Sequence, residues 1–163
     1  MKYKIRLIDH LRMLSHLIIT DAILFVLYIW YFRFTIPTAY FYWLFLLLFL
    51  TQILPTVWVH YNHYLLNKNS VFILDVANNS FQFDEPDIKI KANFNEIECV
   101  KFVGSYGGGT GVYSFGEYCF CAIKMKDGRN FIVTSLLVPS LKSKFKNKLG
   151  IPFEESFKIL AIA

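Results

Sequence analysis

Two apolar segments near the start of the chain constrain its fold more than any other feature. Residues 13–34 read MLSHLIITDAILFVLYIWYFRF and residues 39–60 read AYFYWLFLLLFLTQILPTVWVH. Each has about 22 residues, enough to cross roughly 30 Å of hydrocarbon as a helix. The connection between them contains Pro37, which favours a break between two helices. The pattern predicts a transmembrane helical hairpin over residues 13–66.

The placement of charge predicts the orientation of this hairpin. Arg33 is the only basic residue at the turn, whereas residues 1–12 are rich in Lys and Arg and the chain after residue 66 contains more of them. Lys and Arg accumulate on the cytoplasmic side of membrane proteins. We therefore expect a multi-pass membrane protein with a basic cytoplasmic N-terminus, residues 1–12, and a cytoplasmic domain over residues 67–163.

Polar residues also occur within the apolar segments, among them Asp21, Thr51 and Gln52. Asp21 lies about 12 Å into the first segment, and Thr51 and Gln52 lie at a similar depth in the second. Charged groups at that depth are costly to bury and are often functional. We expect these residues to support helix packing within the hairpin or between protomers, which favours a homo-oligomer. A conducting or proton-handling role for Asp21 is an open alternative.

Histidines and cysteines are few and do not form a metal-binding pattern. All four histidines lie near the predicted cytoplasmic boundary: His10, His16, His60 and His63. The last two have a spacing that metal ligands use, but no acidic partners occur at matching positions. We expect them to contact lipid headgroups and predict no metal and no cofactor. The three cysteines, in strand-like sequence, are expected to be reduced thiols: Cys99, Cys119 and Cys121.

After residue 66 the pattern changes to short strands. VFILDVANNSFQF is typical of two strands around the turn ANNS, and the turn KDGR separates EYCFCAIKMK from NFIVTSLLV. SLKSKFKNKLG is typical of a short helix, and the last 13 residues fit a helix or a closing strand. The predicted fold class is membrane α plus β, a transmembrane hairpin followed by a small antiparallel β-barrel with a C-terminal helix.

The stretch SYGGGTG, residues 105–111, raises the question of a ligand. It lacks the lysine and the following helix of a phosphate-binding loop, so it is either a mobile loop between strands or a backbone-amide site. Aromatic rings, backbone amides and an arginine are the parts of a nucleotide pocket. The candidate ligand-binding residues are therefore Tyr106, Gly107, Gly108, Gly109, Thr110, Tyr113, Tyr118, Arg129 and Thr134.

Motifs of enzymes are absent from the sequence. Residues 67–163 contain no histidine, and no nucleophile elbow or zinc-binding HExxH motif is present. The net charge is +5, and the basic residues are not clustered densely enough to predict binding to a nucleic acid polymer. We predict a binding module without catalytic activity.

Two resemblances refine this prediction. EYCFCAIKMKDGRNFIVTSLLVPSL, with NEIECVKFV before it, resembles the PH-like domains that bacterial membrane proteins carry behind a transmembrane hairpin. The whole plan, two spans and then a small β-barrel, resembles the membrane effectors of cyclic-oligonucleotide (CBASS) anti-phage systems. The two resemblances imply a protein of the bacterial inner membrane. The second also implies that the barrel binds a cyclic dinucleotide and that the helices then assemble and disrupt that membrane. It assigns Asp21 and Gln52 to the assembling helices, and the tyrosines and Arg129 to the pocket.

The alternative is a membrane-anchored PH-like scaffold or accessory subunit. A lysine-rich segment would then contact anionic lipid headgroups or an acidic protein partner. Its members are Lys142, Lys144, Lys146 and Lys148.

Overall fold

The structure is a computed structural model and describes residues 1–32, 38–86, 88–105, 114–146 and 152–162. Its architecture is a β-sandwich from which long apolar helices extend. The helices lie in sequence between the first and second strands of the sandwich.

The helical region begins with α1, Leu7–Phe32. The second helix has three parts, which are α2 (Thr38–Leu48), a π-helical turn (Phe49–Ile53) and α3 (Leu54–Asn67). Pro55 lies just after the π-helical turn. Its missing N–H and its ring disrupt the hydrogen bonding of the preceding turn, which gives a physical reason for the irregularity there. Both predicted helices are present, and both extend further toward the sandwich than residues 13–60.

Sheet A contains the N-terminal residues of the chain. Its order is β1 (Lys2–Tyr3), β2 (Val71–Asp75), β3 (Ser80–Asp84) and β4 (Lys89–Asn93), all antiparallel. The β2–β3 hairpin turns at ANNS as predicted, with Asn79 in the left-handed conformation at φ 49°. The pairing of β1 with β2 was not predicted. The N-terminal amino group also donates a hydrogen bond to the Leu74 carbonyl, at 2.6 Å.

Sheet B is formed mainly by the second half of the chain. Its order is β7 (Asn130–Thr134), β6 (Cys119–Met125), β5 (Ile97–Ser105) and β8 (Phe153–Lys158). The hairpin at Asp127-Gly128 is confirmed, since Gly128 has φ 89°, a conformation that favours glycine. The C-terminal segment is a strand, and β8 lies parallel to β5.

The core lies between the two sheets. Rings from both sheets contact each other, as in the pair Phe83 and Phe131, whose centroids are 4.6 Å apart. The short helix α4 (Leu141–Lys146) adds Leu141 and Phe145 to this core. Within the described residues the strands pair in two separate sheets, so the fold is a sandwich, and pairing that closes a barrel is not observed.

The helices are long and apolar enough to cross a membrane, over Leu7–Leu27 and Tyr42–Asn67. Much of their surface consists of exposed apolar side chains. Examples are Ile18, Ile23, Phe25, Val26, Trp30, Trp43, Leu47 and Leu50.

Candidate functional site

The candidate site is the junction at which the two long helices meet the sandwich. We use the name helix bases for residues 7–17 of α1 and 56–67 of α3. One face of each base is buried, with Asp9, Met13 and Leu17 on α1. The corresponding residues of α3 are Thr56, Val59, His63 and Asn67. Their spacing of three or four residues places each set on one side of its helix.

Asn67 fastens the end of α3 to strand β7. Its side-chain Oδ1 accepts a hydrogen bond from the Thr134 N–H at 2.9 Å, and its Nδ2 donates to the Ile132 carbonyl at 3.0 Å. Asn67 is fully buried. Strand β7 is at the edge of its sheet, so these two backbone groups have no neighbouring strand to pair with. The Asn67 side chain forms a hydrogen bond with each of them.

His63 connects α3 to the C-terminal segment. Its Nε2 lies 2.8 Å from the Ala161 carbonyl oxygen. Because a carbonyl oxygen can only accept a hydrogen bond, Nε2 carries the proton and donates. The Ala161 N–H in turn donates to Ser105 Oγ at 2.9 Å. Residue 161 is thereby held between the helix base and the end of β5.

A chain of three side chains links α1, α3 and the sandwich. His10 Nδ1 lies 2.8 Å from His60 Nε2, and His60 Nδ1 lies 2.8 Å from the Tyr118 hydroxyl. Burial raises the pKa of Tyr118, so this hydroxyl stays protonated. One of the two facing nitrogens of His10 and His60 donates this hydrogen bond and the other accepts it. Within the described residues, no group of three or more His, Cys, Asp or Glu is arranged to hold a metal ion.

A cleft of about 780 Å³ lies beside this junction, between α1 and the sandwich. Arg12, Ser15 and Ile19 form its α1 wall. Glu117, Cys119 and Lys142 belong to the opposite wall, which comes from the sandwich and α4. The cleft thus combines charged groups of both signs with apolar and hydroxyl-bearing side chains.

Cys119 lines the cleft, and its thiol is expected to be unreactive. Burial raises its pKa to about 11, and the charge of Glu117 also raises it, whereas a hydrogen bond with Ser135 and the charge of Lys142 lower it. Near neutral pH the thiol is therefore protonated and a poor nucleophile. Burial likewise raises the pKa of the neighbouring core residue Cys121.

The predicted ligand-binding residues have different positions. Residues 106–110 and Tyr113 lie outside the described residues. Tyr118 and Thr134 are fully buried near the junction, and the Thr134 partner across the sheet is Phe120. Arg129 lies at the opposite end of β7 from Thr134 and pairs with Asp127 at 2.6 Å on the surface.

The predicted assembly residues lie in the outer part of the helices. Asp21 is in α1, and its Oδ1 is buried with no hydrogen-bond partner among the described residues. Thr51 and Gln52 lie in the π-helical turn, where the Thr51 hydroxyl donates to the Leu47 carbonyl of its own helix at 2.7 Å.

Of the four predicted headgroup lysines, Lys142 and Lys144 have described contacts, and these differ. Lys142 pairs with Glu155 at 2.6 Å and lines the cleft. Lys144 lies 4.2 Å from the centre of the Tyr3 ring, outside the cleft lining. Lys146 ends α4, and Lys148 lies outside the described residues.

The sequence did not indicate the contacts that fasten the junction, since His60 and His63 were expected to contact lipid headgroups and Tyr118 was expected to bind a ligand. Asn67, Ser105 and Tyr118 depend on contacts between residues far apart in the chain. One pattern in the sequence could have predicted the buried face of the α3 base. A spacing of three or four residues continues one helix face beyond the apolar run, through Thr56, Val59, His63 and Asn67.

Comparison with known proteins agrees with this architecture. A protein-family model described as a PH domain matches residues 2–146, which include β1, all the long helices and most of the sandwich. Searches of the curated proteins and of the solved structures found no match. The PH-like resemblance is confirmed, while the resemblance to anti-phage effectors stays a prediction. Because the match covers most of its length, the chain belongs to this PH-domain family.

Proposed function

We propose that the protein is a membrane-anchored, non-enzymatic PH-domain scaffold. The α1–α3 hairpin spans the bilayer, and the helix bases hold the sandwich against the cytoplasmic surface. A protein partner or lipid would then bind to a domain whose position relative to the membrane is fixed.

The pairing of β1 with β2 carries this proposal. These strands flank the helical region in sequence, and Lys2 lies opposite Ile73 in the same sheet. The two ends of the hairpin are therefore in one folded body, as a hairpin that crosses a membrane twice requires. The exposed apolar surface of the outer helices supports lipid as their surroundings.

The basic residues support the cytoplasmic side for the sandwich. Lys2, Lys4, Arg6 and Arg12 lie at or next to the base of α1. Lys and Arg within this distance of a span favour retention in the cytoplasm.

Membrane extraction and site-specific labelling test the proposal. We expect the full-length chain to stay in the membrane pellet after alkaline carbonate washing. In intact cells, an impermeant maleimide should label Tyr40→Cys in the outer part of α2, while Asn78→Cys in the β2–β3 turn should react only after lysis. Extraction into the supernatant would refute membrane anchoring, and the reverse labelling pattern would refute the orientation.

An oligomeric effector is the second candidate, and Asp21 favours it. A buried carboxylate oxygen without a described partner in an apolar helix is expected to gain one from a neighbouring helix. A second copy of the chain would supply that helix, and a cyclic dinucleotide would promote assembly, as the CBASS resemblance implies. Titrating the full-length protein in detergent with a panel of cyclic dinucleotides, and measuring its mass, tests this candidate. An unchanged mass and thermal stability with every member would refute it.

A further inference from the structure

The cleft between α1 and the sandwich extends along the predicted membrane boundary. Arg12, Ser15 and Ile19 are spaced so that they share one face of α1. Arg12 and Ile19 are separated by about 10 Å along the helix axis. If Arg12 lies among the headgroups, Ile19, which is exposed, lies at the level of the acyl chains.

The walls of the cleft carry cations and an anion on separate elements. Arg12 and Lys142 are the cations, on α1 and α4. Glu117 is the anion, and none of the ion pairs among the described residues involves it. Glu117 and Lys142 line the same cleft as Cys119, and the charge of each acts on the thiol of Cys119.

The two cations already have acidic neighbours. Arg12 lies 3.3 Å from Asp9, and Lys142 lies 2.6 Å from Glu155. These carboxylates hold the cations in place and reduce the net positive charge of the cleft. A ligand with several negative charges is therefore disfavoured, and a ligand with one phosphate and one ammonium group matches the wall better.

We propose that this cleft binds the headgroup of a bilayer aminophospholipid, with its phosphate at Arg12 and Lys142 and its ammonium at Glu117. The acyl chains extend along α1 past Ile19. This inference rests on the proposed membrane anchoring and adds a ligand class to it. The lipid would connect α1 with α4 and so stabilise the sandwich against the membrane surface.

Native mass spectrometry of the full-length protein in detergent tests the ligand class. We expect phosphatidylethanolamine to bind about tenfold more tightly than phosphatidylglycerol, which lacks the ammonium, and phosphatidylcholine, whose quaternary ammonium cannot donate a hydrogen bond. Glu117→Gln should abolish the preference for phosphatidylethanolamine. Lys142→Gln should weaken all phospholipids, whereas the control Lys144→Gln on the same helix should leave binding unchanged.

Three outcomes would overturn the proposal. Equal binding of the three lipids by the unmodified chain would show that the cleft does not recognise the ammonium group. A retained preference for phosphatidylethanolamine in Glu117→Gln would show that Glu117 does not bind that group. Competition by O-phosphoethanolamine at the concentration at which the lipid binds would identify a soluble ligand instead. Carbonate extraction reports on anchoring separately, so an integral protein without lipid preference refutes this inference alone.

Discussion

The bases and the outer parts of the long helices contain similar apolar residues in opposite surroundings. On α3, Val59 is fully buried against the sandwich, whereas Trp43 in the outer helix α2 is 70% exposed. The base is fastened by specific hydrogen bonds from Asn67, His63 and His60. The outer part of α1 is largely apolar, with Thr20 and Asp21 among its few polar residues.

This difference shows that apolar character alone does not distinguish side chains that are buried by protein from side chains that stay exposed. In the base, Asn67, His63 and His60 have hydrogen-bond partners at fixed distances, so changing one of them leaves a buried group unsatisfied. In the outer part, an exposed side chain can change with little effect on the sandwich. Substitutions in the two regions should therefore differ in a predictable order.

The largest difference is expected for a pair of aromatic truncations. Phe83→Ala removes a fully buried ring that contacts Phe131, and should reduce the free energy of unfolding by about 3–5 kcal/mol. Trp30→Ala removes an exposed ring of α1 and should leave the unfolding of the sandwich unchanged. Urea unfolding in detergent micelles, followed by circular dichroism, measures both. Equal losses would contradict the distinction between side chains buried by the sandwich and side chains exposed on the outer helices.

Asn67→Ala should have the next largest effect. It leaves the Thr134 N–H and the Ile132 carbonyl without their partner, and we expect a loss of about 2–3 kcal/mol in the same unfolding assay. Hydrogen exchange of the Thr134 amide should also accelerate. The matched control is Asn78→Ala, in the exposed β2–β3 turn, which should have a much smaller effect. A similar loss in both variants would show that Asn67 does not fasten the junction.

Local patterns in the sequence were sufficient to predict the helices and several strands. Hairpin turns at Asn79 and Gly128 are determined by residues that tolerate positive φ, and the alternation in β4 shows which side faces the core. The pairing of β1 with β2 was not predictable in this way. A two-residue strand has too little sequence to show a pattern, and its partner lies beyond the helices.

The site was less predictable than the fold for a related reason. Tyr118 was assigned to a nucleotide pocket because aromatic rings stack on bases, but the structure places its hydroxyl against His60. The cleft depends on Arg12, Glu117 and Lys142, which come from three elements. Their proximity follows from the docking of α1 on the sandwich, which no local pattern encodes.

Tyr118→Phe tests the hydrogen-bonded chain at the junction. The substitution keeps the ring and removes the hydroxyl that contacts His60, so we expect a loss of about 1 kcal/mol in unfolding free energy. Tyr61→Phe, on the exposed side of the same helix as His60, is the control and should have no effect. If Tyr118→Phe also has no effect, the chain from His10 to Tyr118 does not stabilise the junction.

The smallest effect on stability is expected for Arg129→Gln. Arg129 and Asp127 form an ion pair in an exposed hairpin turn, where solvent screens the charges, so the unfolding transition should not change measurably. The hydrogen bond and charge of Arg129 lower the pKa of Asp127, and the substitution should return it toward its ordinary value. A carbon-detected NMR titration of the Asp127 carboxyl measures that change.

Because stability should be unaffected, the same variant separates a ligand-binding role from a structural one. If Arg129 belongs to a nucleotide pocket, Arg129→Gln weakens binding of a cyclic dinucleotide while the unfolding transition stays the same. If no cyclic dinucleotide binds the unmodified chain, or if it binds both forms equally, Arg129 has no role in such a pocket. The ion pair with Asp127 is then its only role consistent with the described contacts, and ligand binding by the sandwich must be sought at other residues.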